Sequence, residues 1–305
     1  MTVLFCLPYA GGDATTLYGS WRAPLAPGTE VVPLDFPGRG RRHREPVAAS
    51  PEQLVDDVLD AVRRQVRPGE PWAVFGHSMG AMVAHRAAAE ASHRTGTTPP
   101  RAVFVSGRRP PGDGPVSPVG IGSLDELLAN AASWGGIPPD LTARPHLARP
   151  LLAGLAHDLS LSHDPVRTPP VLDCPVHVLW SDGDPLTRPD RIGGWALVSR
   201  GPVTFHRFAG DHFFIGPTGA RALPVVRQVL SSEVAGDPLP GGATTTADGN
   251  GPDGGWAPAS GQGKVDATGF GRPTAAQTGH RSGPSDSRSL ERRRLLARPA
   301  PQGGS

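Results

Sequence analysis

Residues Gly76-His77-Ser78-Met79-Gly80 constrain this chain more than any other five. They follow an apolar run, Trp72-Ala73-Val74-Phe75, and precede a run of helical habit from Ala81 to Glu90. A strand that passes into a helix through G-x-S-x-G must turn so tightly that its flanking positions admit little beyond hydrogen. Such a turn lifts a serine hydroxyl above the edge of a sheet and aims the first amides of the helix at the same point. A serine placed there can attack a carbonyl.

Around this turn, residues 1 to about 233 alternate strand-like and helix-like segments. That rhythm predicts an α/β domain with a mainly parallel sheet. Val3 to Leu7, Val31 to Leu34, the run before Gly76, Ala102 to Ser106, Val176 to Trp180 and Val203 to Phe208 read as strands. Ser50 can cap a helix, with Pro51 at its first position and Gln53 completing a capping-box pattern. Leu54, Val55, Val58, Leu59, Val62 and Val66 then share one face. Pro217 to Leu230 reads as a closing helix that Pro224 is expected to kink or split. From about 110 to 170 the rhythm breaks into Pro-rich loops and short helical patterns. Ser123-Leu124-Asp125-Glu126 looks like a capping box, and His146 to Leu161 carries a further helix with Pro150 inside it. This insertion between middle and late strands is read as a lid over the active site.

Composition changes near Val234. Residues 236–305 hold 15 Gly and 8 Pro in 70 positions, against 6 Leu, Ile, Val and Phe together. Such a segment buries too little apolar surface to offset the entropy of ordering it, so 234–305 is expected to be a disordered tail. Ser289 to Leu296 could form a short basic helix, but a solvated charge cluster is the plainer reading. The net charge of +2 gives no argument for nucleic acid. Cys6 and Cys174 sit beside apolar runs, far apart, and are expected to be two buried thiols rather than a disulfide. The N-terminus lacks a basic n-region, its apolar stretch breaks at Pro8, and no run approaches a membrane span. A cytoplasmic protein away from membranes is the expectation.

A serine hydroxyl is a weak nucleophile until a base, usually His oriented by a carboxylate, takes its proton. In folds built on this elbow the chain order is Ser, carboxylate, His, with the last two in loops after late strands. The strand ending at Trp180 runs into Ser181-Asp182-Gly183-Asp184-Pro185-Leu186, and the one ending at Phe208 runs into Ala209-Gly210-Asp211-His212. His212 is the base candidate. His206 lies within a strand, His77 is the variable residue of the elbow, and His85 lies in the elbow helix. Asp184 and Asp182 compete for the carboxylate; Asp184 is preferred because Asp-Pro stands at the loop's far end, whereas Asp182 suits a turn cap. Asp211 is read as a turn former. The oxyanion hole needs two backbone amides. Met79 follows the nucleophile, and the loop Leu7-Pro8-Tyr9-Ala10-Gly11-Gly12 supplies Ala10, with Tyr9 next in line. No His or Cys pair has metal-ligand spacing, and no cofactor is expected.

Leu7 to Gly12, Phe36-Pro37-Gly38-Arg39 with Arg41-Arg42, Phe75 to Gly80, Ser106-Gly107-Arg108-Arg109 and Gly210-Asp211-His212-Phe213-Phe214 recur together, in this order, in type II thioesterases. The chain resembles that family over about residues 1–233. The resemblance implies an α/β-hydrolase fold with a helical lid. It places Ser78, Asp184 and His212 on the triad positions, and Ala10 and Met79 on the oxyanion amides. It further implies hydrolysis of acyl thioesters on the phosphopantetheine arm of acyl or peptidyl carrier proteins of polyketide and nonribosomal peptide synthases, clearing stalled or wrong acyl groups. The alternatives are a medium-chain fatty acyl carrier-protein hydrolase, another serine esterase or acyltransferase, or a non-catalytic carrier-protein-binding scaffold. Tyr9 stands where many members have His. The lid matches only in patches, Trp134-Gly135-Gly136-Ile137-Pro138-Pro139 being the clearest. Arg39, Arg41, Arg42, Arg44, Arg108 and Arg109 could form a basic rim that steers an acidic carrier protein, or could simply be solvated.

Overall fold

The computed structural model describes residues 1–113, 123–135, 145–162, 169–187, 189–232 and 245–246. The chain divides into a unit from Met1 to Pro252 and a second from Asp253 to Ser305, the latter outside the described residues. The expected tail, 234–305, and its basic stretch at 289–296 also lie outside them, apart from Thr245–Thr246.

Among the described residues, seven parallel strands make one sheet in the order β2-β1-β3-β4-β5-β6-β7. These are β1 (Thr2–Leu7), β2 (Thr29–Pro33), β3 (Trp72–His77), β4 (Ala102–Ser106), β5 (Val176–Ser181), β6 (Val203–Phe208) and the two-residue β7 (Thr245–Thr246). The helices are α1 (Ala14–Tyr18), α2 (Arg22–Leu25), α3 (Pro51–Gln65), α4 (Met79–Thr95), α5 (Leu124–Ser133), α6 (Pro145–Leu161) and α7 (Leu223–Ser232). The inner strands are buried along their whole length because alternate residues face two helical layers. On one face Val3, Phe5, Val74, Val103 and Val178 pack with Leu54, Val58, Val62 and Val83 of α3 and α4. On the other, Leu4, Cys6, Phe75 and Phe104 pack with Tyr18, Trp21 and with Val226 and Val229 of α7. Each such side chain, once buried, contributes about 1.5–3 kcal/mol. Both cysteines are free and buried.

The chain runs from β1 to β2 on one side, then crosses to β3 on the other side of β1. The loops leaving β1 and β3 therefore part at a topological switch point, where open α/β sheets bind ligands. The register pairs Leu7 with Gly76, so these two strand ends finish side by side.

Local signals hold with instructive exceptions. Ser50 accepts from Gln53 N at 3.4 Å, but the Gln53 side chain accepts from Ala49 N at 2.7 Å, one residue short of a closed box. Ser123 and Glu126 do close one. The expected closing helix, α7, begins at Leu223, not Pro217, so Pro224 falls in its first turn, where a missing N–H costs nothing, and neither kinks nor splits it. No helix of the described residues is long and apolar enough to cross a membrane.

His177 on β5 and His206 on β6 meet with Nδ1 and Nε2 3.2 Å apart, and the His177 ring stacks on Phe104. Burial, reinforced by His206, pulls His177 down to about 3; burial pulls His206 down to about 4. Unfolded, both titrate near 6.5. Below that pH the unfolded chain takes up protons that the folded pair refuses, so stability falls with acidification, by up to about 1.4 kcal/mol per pH unit for each ring. Urea unfolding should find that wild type loses about 1–2 kcal/mol more than His177→Gln between pH 7 and pH 5. Equal losses would mean that the folded pair protonates freely.

Candidate active site

Ser78 stands between β3 and α4 with φ 54° and ψ −111°, the sole non-glycine residue with positive φ among those described. Its strain is of the order of 1–3 kcal/mol and is held by its surroundings. Ser78 N donates to Ser106 O at 2.8 Å, and Ser78 O accepts from Ala81 N at 3.1 Å. A Cβ at Gly76 would run into the backbone of Gly80, and one at Gly80 would lie 2.5 Å from Leu7 O. The two elbow glycines thus let strand, helix and the loop after β1 close on one another.

His212, in the loop after β6, is buried, and its Nδ1 lies 2.9 Å from Asp184 Oδ2 in the loop after β5. The carboxylate only accepts, so Nδ1 carries the proton and Nε2 is the basic nitrogen. Asp184 Oδ1 accepts from Leu186 N at 2.8 Å, which fixes the carboxylate plane. Ser181 Oγ donates to Gly210 O at 2.5 Å and ties the two loops together. Asp182, the competing carboxylate, is exposed and pairs with Arg207. Asp211 accepts from Phe213 N at 2.8 Å, as a turn former does. His85 packs against Trp195 within the helical layer.

His77 joins the elbow to the histidine loop. Its ring centroid lies 5.1 Å from that of His212, and its Nδ1 is 2.9 Å from Ser106 Oγ. Burial, with His212 beside it, holds the imidazole well below its ordinary pKa, so His77 is neutral. Tyr9 packs edge-on against both His77 and Phe213.

In the loop after β1, Gly12 N donates to Tyr9 O at 2.9 Å and Gly11 has φ +76°, the geometry of a type II turn with glycine at its third position. Gly11 N donates to Asp158 Oδ2 of α6 at 2.7 Å. Two of the turn's amides are thereby engaged, while those of Tyr9 and Ala10 have no hydrogen bond among the described residues. Met79 N is the first amide of α4, where helix geometry provides no acceptor.

The α5 and α6 segments supply a third apolar cluster. Leu127, Leu128 and Ala131 of α5 pack with Trp134 and with Leu152 of α6, flanked by Leu155, Leu159, Leu186 and Phe213. Phe213 brings this cluster to the residue beside His212. Of the Trp134–Pro139 patch, residues 136–139 lie outside the described residues.

The structure redraws the basic rim. Arg39 is bound to Asp158, Arg42 to Glu45 and Asp57, and Arg108 to Ser162 Oγ and O, while Arg41 and Arg44 are exposed. Sequence reading missed Asp158 altogether. Its one trace was that it is the sole acidic residue of α6.

A family model described as the thioesterase domain matches residues 2–229. The chain is 32% identical over 221 residues to Thioesterase PikA5 of Streptomyces venezuelae, covering 70% of this chain and 75% of that one. Among solved structures, the RedJ thioesterase from the prodiginine biosynthetic pathway of Streptomyces coelicolor matches with a TM-score of 0.64 at 30% identity, over 75% of this chain and 85% of its own. The type II thioesterase BorB from the borrelidin biosynthetic cluster matches with a TM-score of 0.64 at 31% identity, over 75% and 92%.

Proposed function

This chain belongs to the thioesterase domain family, and from that membership we propose that it hydrolyses acyl thioesters on the phosphopantetheine arm of carrier proteins, clearing stalled or wrong acyl groups from a polyketide or nonribosomal peptide synthase. The observation that carries the reading is the buried Asp184–His212 pair beside the elbow that presents Ser78.

In this reading Ser78 Oγ attacks the thioester carbonyl while His212 Nε2 takes its proton, and Asp184 steadies the imidazolium that forms. The amides of Met79 and Ala10 hold the developing oxyanion, with Tyr9 N the nearest substitute. Collapse expels the pantetheine sulfur, which receives the proton from His212, and leaves an ester on Ser78. Water, deprotonated by His212, then frees the acid and restores the serine. The step requires no metal or cofactor. The acyl chain lies against the apolar side chains of Leu155, Leu159, Leu186 and Phe213. The protein works in the cytoplasm, where such synthases assemble their products. RedJ and BorB come from dedicated biosynthetic pathways, which favours editing over release of medium-chain fatty acids.

A thiol is a better leaving group than an alcohol, and a thioester carbonyl is less stabilised by resonance. With one acyl chain presented as a pantetheine thioester and as the matching oxygen ester, kcat/KM should favour the thioester by roughly tenfold or more, about 1.4 kcal/mol. Preference for the oxygen ester would assign the site to a general esterase.

A further inference from the structure

We propose that Asp158 is a positioning residue that ties the lid helix to the oxyanion loop, so that the loop holds its reactive geometry only while α6 is docked. Asp158 is buried. Its Oδ2 accepts from Gly11 N at 2.7 Å and from Arg39 Nε at 3.0 Å, and its Oδ1 accepts from Arg39 Nη2 at 2.7 Å. Arg39 Nη2 also donates to Gly154 O of α6 at 2.9 Å, and Nη1 to Gly38 O at 3.0 Å. One carboxylate on the lid therefore gathers the loop after β1 and the loop after β2.

The physical consequence lies in the turn. Its central peptide, between Ala10 and Gly11, is the one that flips when a type II turn changes type, and a glycine at its third position tolerates both states. Asp158 holds the N–H of that peptide with a charge-assisted bond, which is about twice as strong as a neutral one. A flip would present the Ala10 carbonyl oxygen to a carboxylate, so the charge also opposes the alternative. Leu155 covers the same residue: a Cβ at Gly11 would lie 3.7 Å from its Cδ1. Arg39 keeps the buried carboxylate paired through a two-pronged contact, which a lysine cannot copy. The turn that carries the Ala10 amide is thus held in one form by residues distant in sequence, one of them on α6.

This inference rests on the proposed thioesterase chemistry, and its test separates the two. The variant Asp158→Asn keeps the shape of the side chain and removes its charge. Turnover of an acyl thioester of N-acetylcysteamine is measured beside the rate at which a fluorophosphonate labels Ser78. Labelling needs the nucleophile and the oxyanion amides but no acyl thioester. Asp158→Asn should lower both kcat and the labelling rate by roughly 10–10²-fold with KM nearly unchanged. Arg39→Lys, which leaves the carboxylate itself in place, should give a smaller loss in the same two readouts. If both variants melt at lower temperature yet match wild type in kcat and labelling well below that temperature, Asp158 is only a structural brace and the proposal is overturned. A wild type that labels normally but leaves the thioester intact refutes the substrate reading alone. A wild type that does not label refutes the site, and the inference with it.

Discussion

Asp184→Asn should lower kcat by roughly 10⁴-fold, whereas Asp182→Asn should leave it within about twofold. The two carboxylates are separated by a single residue, and their environments decide the contrast. Asp184 is buried and accepts from the His212 ring at 2.9 Å, while Asp182 faces solvent beside Arg207. An asparagine at 184 presents either an oxygen or an amide group to Nδ1. Its amide group holds His212 in the tautomer whose Nε2 already carries a proton, so the base is lost although the packing survives. The negative charge that steadies the imidazolium is lost as well. At 182 the change removes only an exposed ion pair, worth about 0–1 kcal/mol. Steady-state kinetics on one thioester substrate check the pair together; equal losses at both positions would remove Asp184 from its proposed role.

Ser78→Ala should cost more still, roughly 10⁴–10⁶-fold in turnover, with the melting temperature nearly unchanged. The substitution deletes the nucleophile and keeps the Cβ, so the turn retains its fit against Ser106 and Ala81. Residual hydrolysis would come from binding and the oxyanion amides alone. A variant that unfolded would place Ser78 among the groups holding the elbow together and would leave the nucleophile to be found elsewhere.

Features that one turn or one helix end requires were legible in the sequence. The elbow glycines, the Ser50 and Ser123 caps and the strand runs each answer a local steric or hydrogen-bonding demand, and the structure places them as expected. The loops bearing Asp184 and His212 could also be located, because chain order on this fold is fixed by the crossovers. Pro224 was misread because the apolar pattern from Pro217 onward runs through the preceding turn as well as the helix, and pattern alone cannot fix where a helix starts. The pairing of Arg39 was missed for a different reason. A charge cluster looks the same in sequence whether its partners are solvent or buried carboxylates, and Asp158 lies 119 residues from Arg39. Pairings over that distance are set by how α6 packs on the loops after β1 and β2, which no local propensity encodes.

On this reading Ser78 carries acyl groups from a carrier protein to water. Intact-mass spectrometry of an acylated carrier protein, incubated with wild type and with Ser78→Ala, tests it most directly. Wild type should return the carrier protein to the mass of its free-thiol form, and Ser78→Ala should leave the acyl mass in place. Equal loss with both proteins, or no loss with wild type, would rule out Ser78 as the acyl carrier.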